Sequence, residues 1–166
     1  MSAEGVSPKK KKRKGTKDER LKRSQILLDV TRRCASLANI QDVWKELVSM
    51  TSYELDCDRG TLFLNDTETN ELFSFVAQGN LTREIRILND SGIAGHVYQT
   101  GQTKISDDPY NDPLFNHEVD QRTGYTTKNV ACVPVRTMAG DKIGVMQTLN
   151  KRAGEFNLDD LELLED

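Results

Sequence analysis

The chain has 166 residues, 36% of them hydrophobic, and a formal net charge of −3, values that suit one ordinary domain with a buried core. No apolar run approaches the ~20 residues needed to span a bilayer, and no secretory h-region opens the sequence, so a cytoplasmic protein without a transmembrane segment is expected. Cys34, Cys57 and Cys132 are odd in number, far apart and free of C-x-x-C spacing, which favours neither a disulfide framework nor a zinc site.

Charge is unevenly spread. Residues 1–23 hold ten Lys/Arg against Glu4, Asp18 and Glu19, a balance of +7, which leaves −10 for the remainder. The run PKKKKRK at positions 8–14 resembles a nuclear import signal and has the charge to touch nucleic acid or an anionic membrane face. A block of like charge also repels itself, so residues 1–16 read as a solvated, disordered tail ahead of one domain over 17–166. The acidic body carries no basic stripe, which makes nucleic acid an unlikely main partner. Asn80-Leu81-Thr82 is a glycosylation sequon by letter only.

Leu27, Val30, Cys34 and Leu37 recur at helical spacing in the first ordered segment. Asn39, with Asp42 three residues on, starts a second helix with the apolar stripe Ile40, Val43, Trp44, Leu47 and Val48. RGTLFLN and ELFSFVAQG flank the polar turn DTETN as a hairpin, and REIRILN alternates as a half-exposed third strand. SGIAGHVYQTG reads as a short helix closed by Gly101, and TKIS as a strand. The stretch PYNDPLFNH that follows is excluded from helix interiors and central strands by Pro109 and Pro113, yet carries Tyr110, Leu114 and Phe115. NVACVPVRT and KIGVMQTLNK form a second hairpin about MAGD, and FNLDDLELLED is an amphipathic helix that stops in mid-pattern. The expected class is α+β, with roughly six mainly antiparallel strands and helices packed on the sheet.

GIAGHVYQTGQ, then DDPYNDPLFNHEVDQRTGYTTKNVACVPV, then IGVMQTLNK resemble a GAF domain. The likeness runs from about Ser24 to Asp166. More narrowly, these segments resemble the cyclic-nucleotide-binding GAF domains of phosphodiesterases and bacterial adenylate cyclases. The resemblance implies that the segment after the fourth strand, with its short helix, forms a lid over a pocket. Leu114, Phe115, Val119 and Tyr125 then face an apolar, stackable base. Read without the family, the same segment is an Ω-loop closed on its own side chains.

By the same resemblance, the amides of Ile93 and Ala94 hold the cyclic phosphate at a helix N-terminus. Asn116 stands where some members have an assisting tyrosine, a departure that removes that side-chain contact. Arg59 and Thr61 match base-contacting positions, with Gln78 nearby. Asp120, Thr123 and Thr127 match lid positions that reach ribose and base edge, and Gln147 lines the pocket from the last strand. A neutral Gln78 can both donate and accept, which favours cAMP over cGMP. Asn150, Lys151, Phe156 and Asp160 match a structural motif whose Glu position is Leu161.

No nucleophile pair, metal site or cofactor emerges. His96 and His117 lack partners in pattern, and Cys132 reads as core rather than a bilin attachment point. The expectation is a non-catalytic module that senses a cyclic nucleotide, signals to an output domain and forms a homodimer through its terminal helices. The open alternatives are a dimerisation module without ligand and a sensor of another small molecule, such as an amino acid or 2-oxo acid.

Overall fold

A computed structural model describes residues 16–35, 37, 39–79 and 84–165. The basic run at positions 8–14 and the sequon at 80–82 lie outside the described residues. Helix α1 (Lys17–Ala35) opens on Asp18 and Glu19 and ends on Arg32 and Arg33, charges that complement the helix dipole. Helix α2 (Ile40–Glu54) is capped by Asn39, whose side chain accepts from the Asp42 amide at 2.9 Å. Strands β1 (Cys57–Asp66), β2 (Glu71–Ala77) and β3 (Arg86–Leu88) come next, then α3 (Gly92–Thr100), closed by Gly101 at φ 67°. Strand β4 (Lys104–Ser106) leads through a 3₁₀ turn at Pro109–Asn111 to α4 (His117–Thr123), and β5 (Val130–Arg136), β6 (Lys142–Lys151) and α5 (Leu158–Glu165) complete the order.

The six strands form one sheet in the order β3-β2-β1-β6-β5-β4, and every described pairing is antiparallel. This is the α+β arrangement expected from the two hairpins. The third strand is shorter than REIRILN suggests: among the described residues its ladder runs over Arg86–Leu88, and the buried Ile85 before it accepts the Ser74 amide at 2.9 Å.

The sheet separates two apolar clusters, as strand alternation requires. On the helix face, Val48 and Leu55 from the α2 region meet Leu62, Val76, Ala131, Val133, Met146, Phe156 and Leu161. On the lid face, Phe63, Leu72, Val130, Cys132 and Val145 meet Ile93, Ala94 and Val97 of α3. A β-bulge divides β2 between them: Leu62 pairs with Val76 and Phe63 with Ser74, leaving Phe75 extra. Leu72 therefore faces the lid while Val76 faces the helices.

Two local contacts fix the centre. A Cβ at Gly144 would fall 2.0 Å from the Phe63 carbonyl oxygen, so only glycine lets β6 approach β1 here. Lys151 pairs with Asp160, which also accepts the Asn157 amide at 2.9 Å and so ties the end of β6 to the start of α5. Asn150, at φ 57°, accepts from the Lys128 amide and donates to the Thr126 carbonyl, holding the segment that leads into β5.

The α1 stripe is covered less than its spacing suggests. Leu27 is 39% exposed and Leu37 36%, and Ile40 of the second stripe is 64% exposed. Helix α1 lies outermost, over α2 and the rim of a cavity, and does not rest its whole apolar face on the sheet.

The side chains of Lys151 and Asp160 are only 14% and 13% exposed, so Asp160→Ala strands an ammonium with little water. Chemical denaturation is expected to register a loss of about 3 kcal/mol.

Candidate functional site

The strand register brings one row of predicted residues together. Thr61 of β1 lies opposite Gln147 of β6, and Gln147 opposite Cys132 of β5. The neighbouring row is Arg59, Leu149 and Val130. These positions share the face of Phe63 and Val145, over which α3 and the lid are packed.

Thr61 is 6% exposed, yet its hydroxyl bonds no described residue, nor does the Gln147 carboxamide. Among the described residues no sealed side-chain polar atom lacks a partner, so the Thr61 hydroxyl keeps an open side. An unpaired hydroxyl in such a position is a group waiting for a hydrogen bond.

Helix α3 supplies the opposite character. Its first intrahelical amide bond is Gly95 N–H to Ser91 O, and the amides of Ile93 and Ala94 donate to no described residue. Ser91 makes no side-chain cap bond; its hydroxyl accepts from Asn116 Nδ2 at 3.2 Å instead. Gly92 sits at φ 72°, and a Cβ there would lie 3.2 Å from the Asn116 Cβ, so the helix start and the lid touch. Asn116 is thus beside the α3 N-terminus. Its oxygen caps α4 by accepting the Glu118 amide at 2.9 Å.

The lid is packed down. Leu114, Phe115 and Val119 rest on the lid-face cluster, and Tyr110, Phe115 and His117 form a ring cluster with centroids 5.0–5.3 Å apart. Lys104 of β4 reaches Asp112 at 2.9 Å, and Asp112 also accepts the Leu114 amide. Burial alone would raise the Asp112 carboxyl, but Lys104 and the Leu114 amide outweigh it and hold it below the ordinary carboxylate range. The tie is therefore intact above that range and is lost as pH falls through the lowered value.

Four predicted site residues are turned elsewhere. Asp120 is 7% exposed, with both oxygens committed: Oδ1 accepts from Thr127 Oγ1 at 2.8 Å, and Oδ2 from the Thr127 amide at 2.7 Å and Tyr110 Oη at 2.8 Å. Asp120 and Thr127 are thus a buried latch between α4 and the approach to β5, not free groups for a ribose. The carboxylate holds the Tyr110 phenol above its ordinary range. Thr123 Oγ1 donates back to the Val119 carbonyl of its own helix. Gln78 pairs with the Gly60 backbone on the helix face, its oxygen 2.8 Å from the Gly60 amide nitrogen and 2.7 Å from Ser52 Oγ. Its place there follows from the Phe75 bulge: alternation counted from Leu72 puts Gln78 under the lid, and the extra residue reverses it.

Arg59 and Tyr125 meet. The guanidinium carbon lies 4.0 Å from the Tyr125 ring centroid, and the phenol donates to Asp58 Oδ2 at 2.7 Å. Burial and then Asp58 push the phenol well above its ordinary range. The Asp58, Lys104 and Ser91 partners were not anticipated, since none belongs to a recognisable spacing.

A cavity of about 380 Å³ lies on the other face, lined by Ile26, Val30, Trp44, Leu47, Met146 and Leu163 among others. Its lining is mainly apolar, with Thr51, Glu54, Arg136 and Glu165 also contributing, and it lies away from the unspent amides of the α3 end. The two histidines stay apart from any metal grouping: no cluster of three or more His, Cys, Asp or Glu side chains is placed to hold an ion among the described residues. Cys132 is fully buried, and burial pushes its thiol up.

Removing the latch tests its weight. Asp120→Ala leaves the Thr127 amide and hydroxyl without partners in a buried place, which is expected to cost about 2–4 kcal/mol in denaturant. Hydrogen exchange is expected to quicken from α4 to the start of β5, and Tyr110→Phe to give a smaller change of the same sign.

The GAF-domain family model matches residues 39–166. A dual 3',5'-cyclic-AMP and -GMP phosphodiesterase of Drosophila melanogaster is 31% identical over 153 residues, which covers 82% of this chain and 10% of that protein. A probable 3',5'-cyclic phosphodiesterase of Caenorhabditis elegans is 32% identical over 157 residues, 87% of this chain and 21% of its own length. The chain therefore spans about a tenth to a fifth of these relatives. Among solved structures, the GAF domain of a phosphoenolpyruvate-protein phosphotransferase from Coxiella burnetii superposes with a TM-score of 0.77 at 18% identity, covering 86% of both chains. Free methionine-R-sulfoxide reductase from Neisseria meningitidis gives a TM-score of 0.72 at 18% identity, over 91% of this chain and 86% of that one. The structural likenesses speak for the fold, the family model and the phosphodiesterase relatives for the lineage: the chain belongs to the GAF domain family.

Proposed function

We propose that this GAF domain is a regulatory module that takes a cyclic nucleotide between the lid face of the sheet and the N-terminus of α3. The observation that carries the reading is the juxtaposition of two unspent sets of polar groups on one face. Thr61 and Gln147 have hydrogen-bonding capacity without described partners, and the Ile93 and Ala94 amides offer donors at a positive helix end. A cyclic nucleotide has the matching halves: a flat base with donors and acceptors along its edge, and a single negative charge.

The relatives support this choice, being phosphodiesterases named for cyclic nucleotides. The fold by itself does not, because it also houses a methionine sulfoxide reductase. With Gln78 turned to the helices, base choice falls on Thr61 and Gln147. Both can donate and accept, as an adenine edge needs. The carboxylates nearest in sequence are engaged, Asp58 by Tyr125 and Asp120 by Thr127 and Tyr110. A guanine edge, with donors at N1 and N2, finds less there, so cAMP is favoured over cGMP.

Seating the base requires Phe115 and Val119 to move off the lid-face cluster or to repack on the ligand. The bound population then differs from the free one in the lid, provided the ligand-holding lid state binds more tightly. The module passes this change to an output domain and works as a cytoplasmic homodimer through its terminal helices. Leu21, Leu28 and Tyr53, at 57%, 49% and 82% exposure, give α1 and α2 apolar surface for a second copy. Sedimentation equilibrium is expected to give twice the chain mass, and Leu28→Lys to shift it towards one.

Calorimetry of the whole chain with cAMP, cGMP and AMP tests the ligand. Heat is expected with cAMP at lower concentration than with cGMP, and least with AMP. Thr61→Ala is expected to weaken cAMP by about tenfold, one hydrogen bond's worth, with the thermal midpoint little changed. No heat with either cyclic compound would refute the reading, and unchanged affinity in Thr61→Ala would move the base away from β1.

A further inference from the structure

Gly60 stands between the two side chains that β1 turns to the lid face, Arg59 and Thr61. Both of its backbone groups go to one residue. Its amide nitrogen lies 2.8 Å from Gln78 Oε1, and its carbonyl accepts the Gln78 amide at 3.0 Å. The same Gln78 oxygen is 2.7 Å from Oγ of Ser52, a buried residue of α2. The Gly60 N–H identifies that atom as oxygen, because the NH₂ end would set donor against donor. The Ser52 proton must then point to Gln78, since two acceptors at that separation repel, and its other acceptor, the Val48 carbonyl at 2.9 Å, gives way.

The packing about this node has no slack. A Cβ at Gly60 would fall 2.6 Å from Ser52 Oγ and 2.9 Å from Val48 Cγ1, so α2 rests on the β1 backbone itself. Through the sheet, the residue after Gln78 carries the Arg59 side chain: a Cβ at Gly79 would fall 2.7 Å from the guanidinium carbon. The Tyr125 ring covers the guanidinium from another side. Cys57 Sγ, 3.7 Å from the Arg59 carbonyl oxygen, adds a third tie on the helix face.

We infer that Ser52 and Gln78 are positioning residues that join the base-facing wall of the lid site to α2, so that displacement of Arg59 is felt in α2. The ligand in this inference is the proposed cyclic nucleotide, and to that extent it rests on that reading. The joint itself is built from the chain alone. The Arg59 guanidinium lies between the Gly79 backbone and the Tyr125 ring, so removing or displacing it changes the packing on Gly79, the residue next to Gln78. Close-packed backbone transmits such a shift where a flexible side chain would absorb it.

Amide NMR of the whole chain separates the joint from the ligand. Arg59→Ala, made alone, is expected to shift the amides of residues 48–55 across the sheet. The same change in a Ser52→Ala background is expected to leave them in place. Gln78→Met is expected to uncouple in the same way, and Gln78→Glu, which keeps the acceptor, to restore the response. Equal shifts with and without Ser52, or none in the unaltered background, would overturn the inference. Added cAMP should move the same α2 amides in the unaltered chain and lose that effect in Ser52→Ala. If calorimetry shows no cyclic nucleotide bound, the ligand reading fails, and the joint stands or falls on Arg59→Ala alone.

Discussion

Everything in this fold depends on β1 and β6 being walls shared by two cores. Alternation along a strand sends neighbours to opposite faces, so Leu62 and Met146 hold the helices while Thr61 and Gln147 look at the lid. The two faces cannot be altered separately. Gly144 shows how narrow the tolerance is, since β6 comes so near the Phe63 carbonyl that even one added carbon has no room. A domain built on such a wall has a ready means of making one side aware of the other, because any shift of backbone is a shift for both.

Under the proposed reading, the lid face also reconciles an acidic body with an anionic ligand. With −10 beyond residue 23, the long-range field is unfavourable to a phosphate, and attraction has to come from groups at contact distance. The unspent amides at the start of α3 are such groups. The acids that could spoil the site are occupied: Lys104 holds Asp112, Thr127 and Tyr110 hold Asp120, and Tyr125 holds Asp58. Under the proposed reading, the same bonds that fasten the lid also neutralise its carboxylates as competitors for donors.

Much of this was legible in the sequence. Two hairpins with polar turns predicted the antiparallel sheet, and Gly101 marked the end of α3, because turn chemistry and glycine act locally. The prolines at 109 and 113 correctly kept the lid segment irregular. Thr61 and Gln147 were reached separately through family likeness, and the register sets them opposite each other. Gln78 was set near the base-contacting positions by family likeness; the bulge at Phe75, which leaves no mark in a run of apolar residues, turns its side chain to Gly60 and Ser52 instead. Asp120 and Thr127 were misassigned for a different reason. A carboxylate near a lid resembles a ligand contact, but its partners come from residues ten positions before it and seven after it in the chain, which spacing does not reveal.

The misplaced glutamine alters how the domain is understood. Under the lid, Gln78 would be one more group reading the base. On the helix face its carboxamide closes the Gly60 backbone and meets Ser52, joining the wall of the site to α2. The lid then need not carry the whole signal. A packed lid with Phe115 and Val119 on the core costs free energy to lift, and a ligand can shift the population only by its differential affinity for the two states. A wall held at both backbone groups of Gly60 passes on, under the proposed reading, displacement of the strand itself, once the lid has admitted the base. Under the proposed reading the two routes start at the same base and reach different helices, the lid through α4 and the wall through α2.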